Sequence, residues 1–168
     1  PISSNTFGGY GWAAGSLDWS LNPDNFDTLN LTSDSKSALA AHLGHNAKVF
    51  KCPSDRYVSS LQAGRGFSER VRSISCNAIL GTGNSGGIYS GAKKISELTI
   101  PGPTETTVFM DEHPDSINDP ANFPPHDRGF FDIPSTLHSG GATFSFADGH
   151  AEVHRSEEHT SELQSPCN

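Results

Sequence analysis

The chain has 168 residues, a formal net charge of −8, a third of its positions apolar, and 17 Gly with 11 Pro. That is enough for one domain with a modest core, built from short elements joined by many turns. The acidic balance, with Lys93-Lys94 as its longest basic pairing, argues against nucleic acid or an anionic membrane surface as a partner, and no run of about 20 apolar residues is present to span a bilayer as a helix.

Residues 1–30 carry turn chemistry in Gly8-Gly9-Tyr10-Gly11-Trp12 and Asn22-Pro23-Asp24-Asn25, with Trp12, Trp19 and Phe26 as scattered apolar anchors, so an irregular packed segment is expected. Ser33 can cap a helix whose Leu39 and Leu43 fall four apart on one face and whose stop is Gly44. Lys48-Val49-Phe50-Lys51 reads as a brief strand, closed by the turn Cys52-Pro53-Ser54-Asp55. Residues 59–70 are polar and Gly-bearing, a mobile loop.

Val71, Ile74 and Ile79 surround Cys76 in a second strand, followed by Gly81-Thr82-Gly83-Asn84-Ser85-Gly86-Gly87, which excludes regular structure. A phosphate-binding loop is rejected there, because no Gly-Lys-Ser/Thr ending follows and Ile88-Tyr89-Ser90-Gly91 does not open a helix. A short helical turn is expected over 93–98. Thr106-Thr107-Val108-Phe109-Met110, branched and aromatic, is the best isolated strand and is stopped by Asp111-Glu112-His113-Pro114.

Asp148-Gly149 predicts a two-residue hairpin turn, since that turn needs positive φ. The register then sets Phe146 against Ala151, Ser145 against Glu152, Phe144 against Val153 and Thr143 against His154. Phe144, Phe146, Ala151 and Val153 would make one apolar face, and Thr143, Ser145, His150, Glu152 and His154 the other.

Cys52 and Cys76 lie 24 positions apart without a Cys-x-x-Cys motif. In an exported chain a Cys52–Cys76 disulfide is the natural reading, closing a loop worth roughly 3.5 kcal/mol by chain entropy. In a cytosolic chain the same residues would be two separate buried thiols.

The sequence from Arg155 through Ser165 resembles the in-frame translation of a common short-read sequencing adapter. Residues 155–168 are therefore set aside as an artefactual tail, against the alternative of a natural acidic helical terminus. Dropping its one Arg and three Glu takes the net charge from −8 to −6, and dropping Cys167 leaves two cysteines. Residues 1–154 remain as the domain. Because Pro1 is not an initiator residue, an upstream part is expected to be missing, with any signal or anchor in it.

His138, nine residues, then Asp148-Gly149 resembles the C-terminal signature of the prepilin-type processing-associated, pseudopilin-like proteins of bacteria. Val49-Phe50-Lys51-Cys52-Pro53-Ser54-Asp55 and the stretch from Asp111 through Asp119 are similar to further segments of such chains. The resemblance implies an α+β, pilin-like globular domain with a small antiparallel sheet, short helices and long loops, lacking its N-terminal helix. It also implies a non-catalytic structural subunit of a pseudopilus, type IV pilus-like or type II secretion-like assembly. Such a subunit is exported and anchored in the inner membrane, facing the periplasm or cell surface. Its partners would be other pilin-like subunits, met through the N-terminal helix, with no nucleic acid and no membrane contact except through that segment. An exposed apolar groove is expected where the helix would pack. The processing site and long helix of the family are not in this sequence.

Asp111, Asp115, Asn118 and Asp119 offer hard oxygen ligands in a loop, so calcium is the one cofactor considered, against turn-forming and capping roles for the same residues. Some related pseudopilins hold calcium in a C-terminal loop, although their motif does not map residue by residue here. His150, Glu152 and His154 fall on one strand face at steps of about 6.8 Å, a spacing that suits a solvated face better than three zinc ligands. His138 reads as a structural histidine at the start of a strand in preference to a partner of Asp148. Gly83-Asn84-Ser85-Gly86-Gly87 spells Gly-x-Ser-x-Gly, but Ile88-Tyr89-Ser90-Gly91 does not open the helix that a nucleophile elbow needs, and no His-Glu-x-x-His pair is present, so neither motif supports catalysis. The competing function class is an exported metal-dependent hydrolase or metal-binding domain using the 111–119 loop with the histidines.

Overall fold

The branched and aromatic run expected as the best strand forms the middle of a sheet, because such side chains fit a pleated surface packed on both sides. The computed structural model describes residues 11–81, 92–123 and 132–155. Among these, β1 (Ile74–Asn77), β2 (Thr107–Asp111), β3 (Ala121–Asn122), β4 (Gly141–Phe146) and β5 (Ala151–Arg155) lie in the order β3-β1-β2-β4-β5. With its short helices this is an α+β fold. The sheet is mixed, which corrects the antiparallel expectation: β3 runs parallel to β1, while the other pairs are antiparallel. The cause lies in the loop after β2. Arg72, fully buried, donates to the carbonyls of Ile74 (3.1 Å), Asp119 (3.0 Å) and Asn118 (3.5 Å), which turns the loop back along β1. Arg70 donates to Pro114 O at 2.7 Å and lies 4.1 Å over the Trp19 ring.

The final hairpin forms, but its register is one residue from that expected. Ser145 faces Ala151, Phe144 faces Glu152, Thr143 faces Val153 and Ala142 faces His154. The loop holds three residues, 147–149, because Phe146 N donates to His150 O and Gly149 N to Phe146 O, with Gly149 at φ 98°. This is the turn followed by a left-handed glycine that three-residue loops use. The slip exchanges the faces. Phe144 and Phe146 share theirs with the histidines, Phe146 stacking on His150 at 4.3 Å and Phe144 meeting His154 edge-on at 5.3 Å. Ala151 and Val153 stand with Thr143 and Ser145, and Val153 is 55% exposed.

On that second face Cys76, Ile74 and Phe109 meet the N-terminal segment. Trp12 stacks on Phe50 (5.9 Å), meets Phe109 edge-on (5.1 Å) and donates its indole N–H to Pro120 O, with Ala13 and Leu31 completing the core.

Before β1 the segments are shorter than expected. The Ser33 helix is replaced by α1 (Leu29–Thr32), which Ser33 ends by donating its N–H to Leu29 O. Ser37 Oγ then bonds Trp12 O and Ala38 N bonds Gly11 O, long-range bonds that outcompete an isolated helix of some ten residues. Gly44 is the left-handed stop expected (φ 61°), though of a 3₁₀ turn, Ala41–Leu43. The expected strand at residues 48–51 is a second 3₁₀ turn, Ala47–Phe50, because Asn46 Oδ1 caps Lys48 N. The expected mobile loop contains α2 (Ser60–Ala63), fixed by a reciprocal Ser59 and Gln62 capping box, with Gln62 fully buried. A 3₁₀ turn over Ile95–Glu97 matches expectation. The Gly-rich run beyond Gly81, and the tail beyond Arg155, lie outside the described residues.

Candidate functional site

Three separate segments meet at one end of β2. Cys52 follows the Ala47–Phe50 turn, and its N–H donates to Ser73 Oγ (2.7 Å), which ties it to the start of β1. Asp111 is the last residue of β2, opposite Ile74, and its carbonyl accepts from Ser135 N at 2.8 Å. His138 precedes a tight turn in which Ser139 (φ 54°) and Gly140 (φ 85°) are left-handed, so that His138 and Gly141 exchange backbone bonds and β4 starts. Gly141 has no room for a side chain there, since a Cβ would lie 2.6 Å from His154 O.

This places His138 Nε2 2.9 Å from Asp111 Oδ2 and 3.5 Å from Cys52 Sγ. The three ligand atoms lie within 4.8 Å of one another. A cleft of about 240 Å³ opens on them, and its walls include Lys51, Pro53, Ile74, Phe109, Thr143 and Ser145. The neighbouring cation is already committed, because Lys51 Nζ pairs with the buried Asp55 at 2.5 Å; burial lowers the Lys51 pKa. The same imidazole nitrogen faces both the thiol and the carboxylate. A nucleophile relay uses opposite ring nitrogens for nucleophile and orienting acid, so the arrangement suits joint ligation of a cation better than a Cys-His-Asp relay.

No family model, curated protein or solved structure matches the chain.

The structure redistributes the expected roles. His138 stands in the turn that leads into β4, three residues before the strand, and its acid partner is Asp111; Asp148 instead lies 2.6 Å from His150 Nδ1. The expected Cys52–Cys76 disulfide is corrected, for both cysteines are free. Cys52 Sγ points to His138, whereas Cys76 lies in the Trp12 core, where burial raises its thiol to about 12. Asp111, Asp115, Asn118 and Asp119 do not surround one point. Asp111 engages His138, Asp115 N–H bonds the His113 ring, Asn118 Oδ1 accepts from Asp119 N, and Asp119 Oδ1 accepts from Ala121 N. The carbonyls of Pro114, Asn118 and Asp119 accept from the two buried guanidinium groups.

On the hairpin, Glu152 lies 3.1 Å from His150 Nε2 and 2.9 Å from His154 Nε2. The Asp148 hydrogen bond raises the His150 pKa, and that of Asp148 is lowered in return by His150. Glu112, just past the end of β2, is 1% exposed, and burial lifts its carboxyl to about 7. Sequence reasoning missed the junction because it assigned Cys52 to Cys76 and Asp111 to its own loop. The available signal was that each member falls in a different stretch of the pseudopilin-like resemblance.

Proposed function

We propose that this chain is the globular domain of a pseudopilin-like protein, a non-catalytic structural subunit of a pseudopilus, type IV pilus-like or type II secretion-like assembly. The observation that carries the reading is the meeting of Cys52, Asp111 and His138. Each comes from one of the three stretches that resemble such proteins, so those stretches act as one physical unit. The His-to-Asp-Gly spacing also acquires a physical meaning: it is the length of β4 with its two turns, from the tight turn after His138 to Gly149.

In this reading an N-terminal apolar helix packs along the sheet and carries the contacts to other pilin-like subunits. The exposed flank at Ala151 and Val153, beside the cleft, supports it. Among the described residues no helix is long and apolar enough to cross a membrane. In the pilin-like reading that N-terminal helix is the anchor, with the domain on the periplasmic or cell-surface side. Expression of the full-length gene beside a prepilin peptidase tests this. A precursor shortened by the peptidase and held in the inner membrane is expected; a precursor left uncut by an active peptidase contradicts it.

A second reading, an exported metal-dependent hydrolase or metal-binding domain, is favoured by the same cluster opening on a cleft. Ester or peptide hydrolysis that requires a bound metal would select it over the subunit.

A further inference from the structure

We propose that Cys52 Sγ, His138 Nε2 and an Asp111 carboxylate oxygen bind one zinc ion, with its fourth coordination position open to the cleft. The donor set is one thiolate, one imidazole and one carboxylate, which suits a borderline-soft divalent ion and disfavours calcium or magnesium. Tetrahedral ligands at 2.0–2.3 Å from zinc stand roughly 3.3–3.8 Å apart. The sulfur-to-nitrogen distance is already 3.5 Å, and the nitrogen-to-oxygen distance of 2.9 Å needs to open by about half an ångström.

The ligands are also held from behind. Ser73 Oγ holds the Cys52 N–H, Ser135 N the Asp111 carbonyl, and the paired bonds with Gly141 the His138 backbone. These contacts fix the backbone position of each ligand residue before the ion arrives. On binding, the zinc–sulfur bond replaces the thiol S–H bond and the zinc–nitrogen bond displaces any proton on Nε2. The thiol proton goes to solvent, and the ring binds as the neutral imidazole protonated on Nδ1: a neutral ring protonated on Nε2 moves that proton to Nδ1, and a doubly protonated ring releases its Nε2 proton to solvent. Three protein ligands beside an open cleft leave room for a water or a small anionic group. The ion would clasp together segments 59 and 27 residues apart in sequence, whether or not the domain belongs to a pilin-like subunit.

The test uses the whole chain carrying Cys167→Ser, so that the thiols at issue are Cys52 and Cys76. Zinc titration by calorimetry should give one equivalent, and cobalt(II) should produce a thiolate-to-metal charge-transfer band in the near ultraviolet. Cys52→Ser, nearly isosteric, should abolish the band and weaken zinc binding by more than roughly 100-fold. His138→Gln and Asp111→Asn should weaken it while circular dichroism shows the fold retained. Failure of the folded chain to take up zinc at micromolar concentration would overturn the site, as would a cobalt band that survives Cys52→Ser.

Discussion

His138 Nε2 lies 2.9 Å from Asp111 Oδ2, joining the turn before β4 to the end of β2. The Asp111 side chain is 8% exposed and that of His138 33%, so the carboxylate is the member that depends on its partner. In chelator-treated protein, His138→Ala is expected to cost about 1–3 kcal/mol by urea unfolding, since it strips a hydrogen bond from a buried acid. A cycle with Asp111→Asn should show coupling of about 1 kcal/mol. Additive single effects would mean that the two groups do not interact.

Arg72 holds the loop that lets β3 run parallel to β1. Arg72→Met should destabilise the fold by about 2–4 kcal/mol, because the carbonyls of Ile74, Asn118 and Asp119 lose their donor. Arg72→Lys should recover less than half, for a single ammonium cannot reproduce the fork. Urea midpoints of the three proteins check this.

The free thiols predict a simple chemical outcome. Peptide mapping of the unreduced protein should yield no Cys52–Cys76 linked peptide. In chelator-treated protein, dithiothreitol should leave the melting temperature unchanged. Cys76, buried and with its thiol raised to about 12, should resist alkylation at neutral pH until the protein unfolds.

His150 supplies a pH dependence with a definite sign. Its folded-state pKa is raised above 6.5 by Asp148, so its stabilising contribution is complete below 6.5 and is lost as pH rises through the folded value. NMR titration should place the His150 midpoint above 6.5, and Asp148→Asn should bring it down.

Much of the sheet was legible from residue type, and much of its geometry was not. β2, β1 and the final hairpin follow from branched residues and from Asp148-Gly149. The hairpin register did not, because a two-residue and a three-residue loop both end on Gly149, and only the bond from Phe146 N to His150 O distinguishes them. The capping box from Ser59 to Gln62 was present in the sequence and overlooked among polar residues. β3 has two residues and no periodic signal; its place depends on Arg72, whose burial no local pattern announces. The junction of Cys52, Asp111 and His138 was hidden for the same reason, as it forms only once three distant segments pack.

The pilin-like reading is tested most directly by determining the coding sequence immediately upstream of Pro1. A prepilin-type processing site followed by about 20 consecutive apolar residues is expected, enough to cross a bilayer and to pack along the sheet. An upstream frame with neither feature would contradict the assignment.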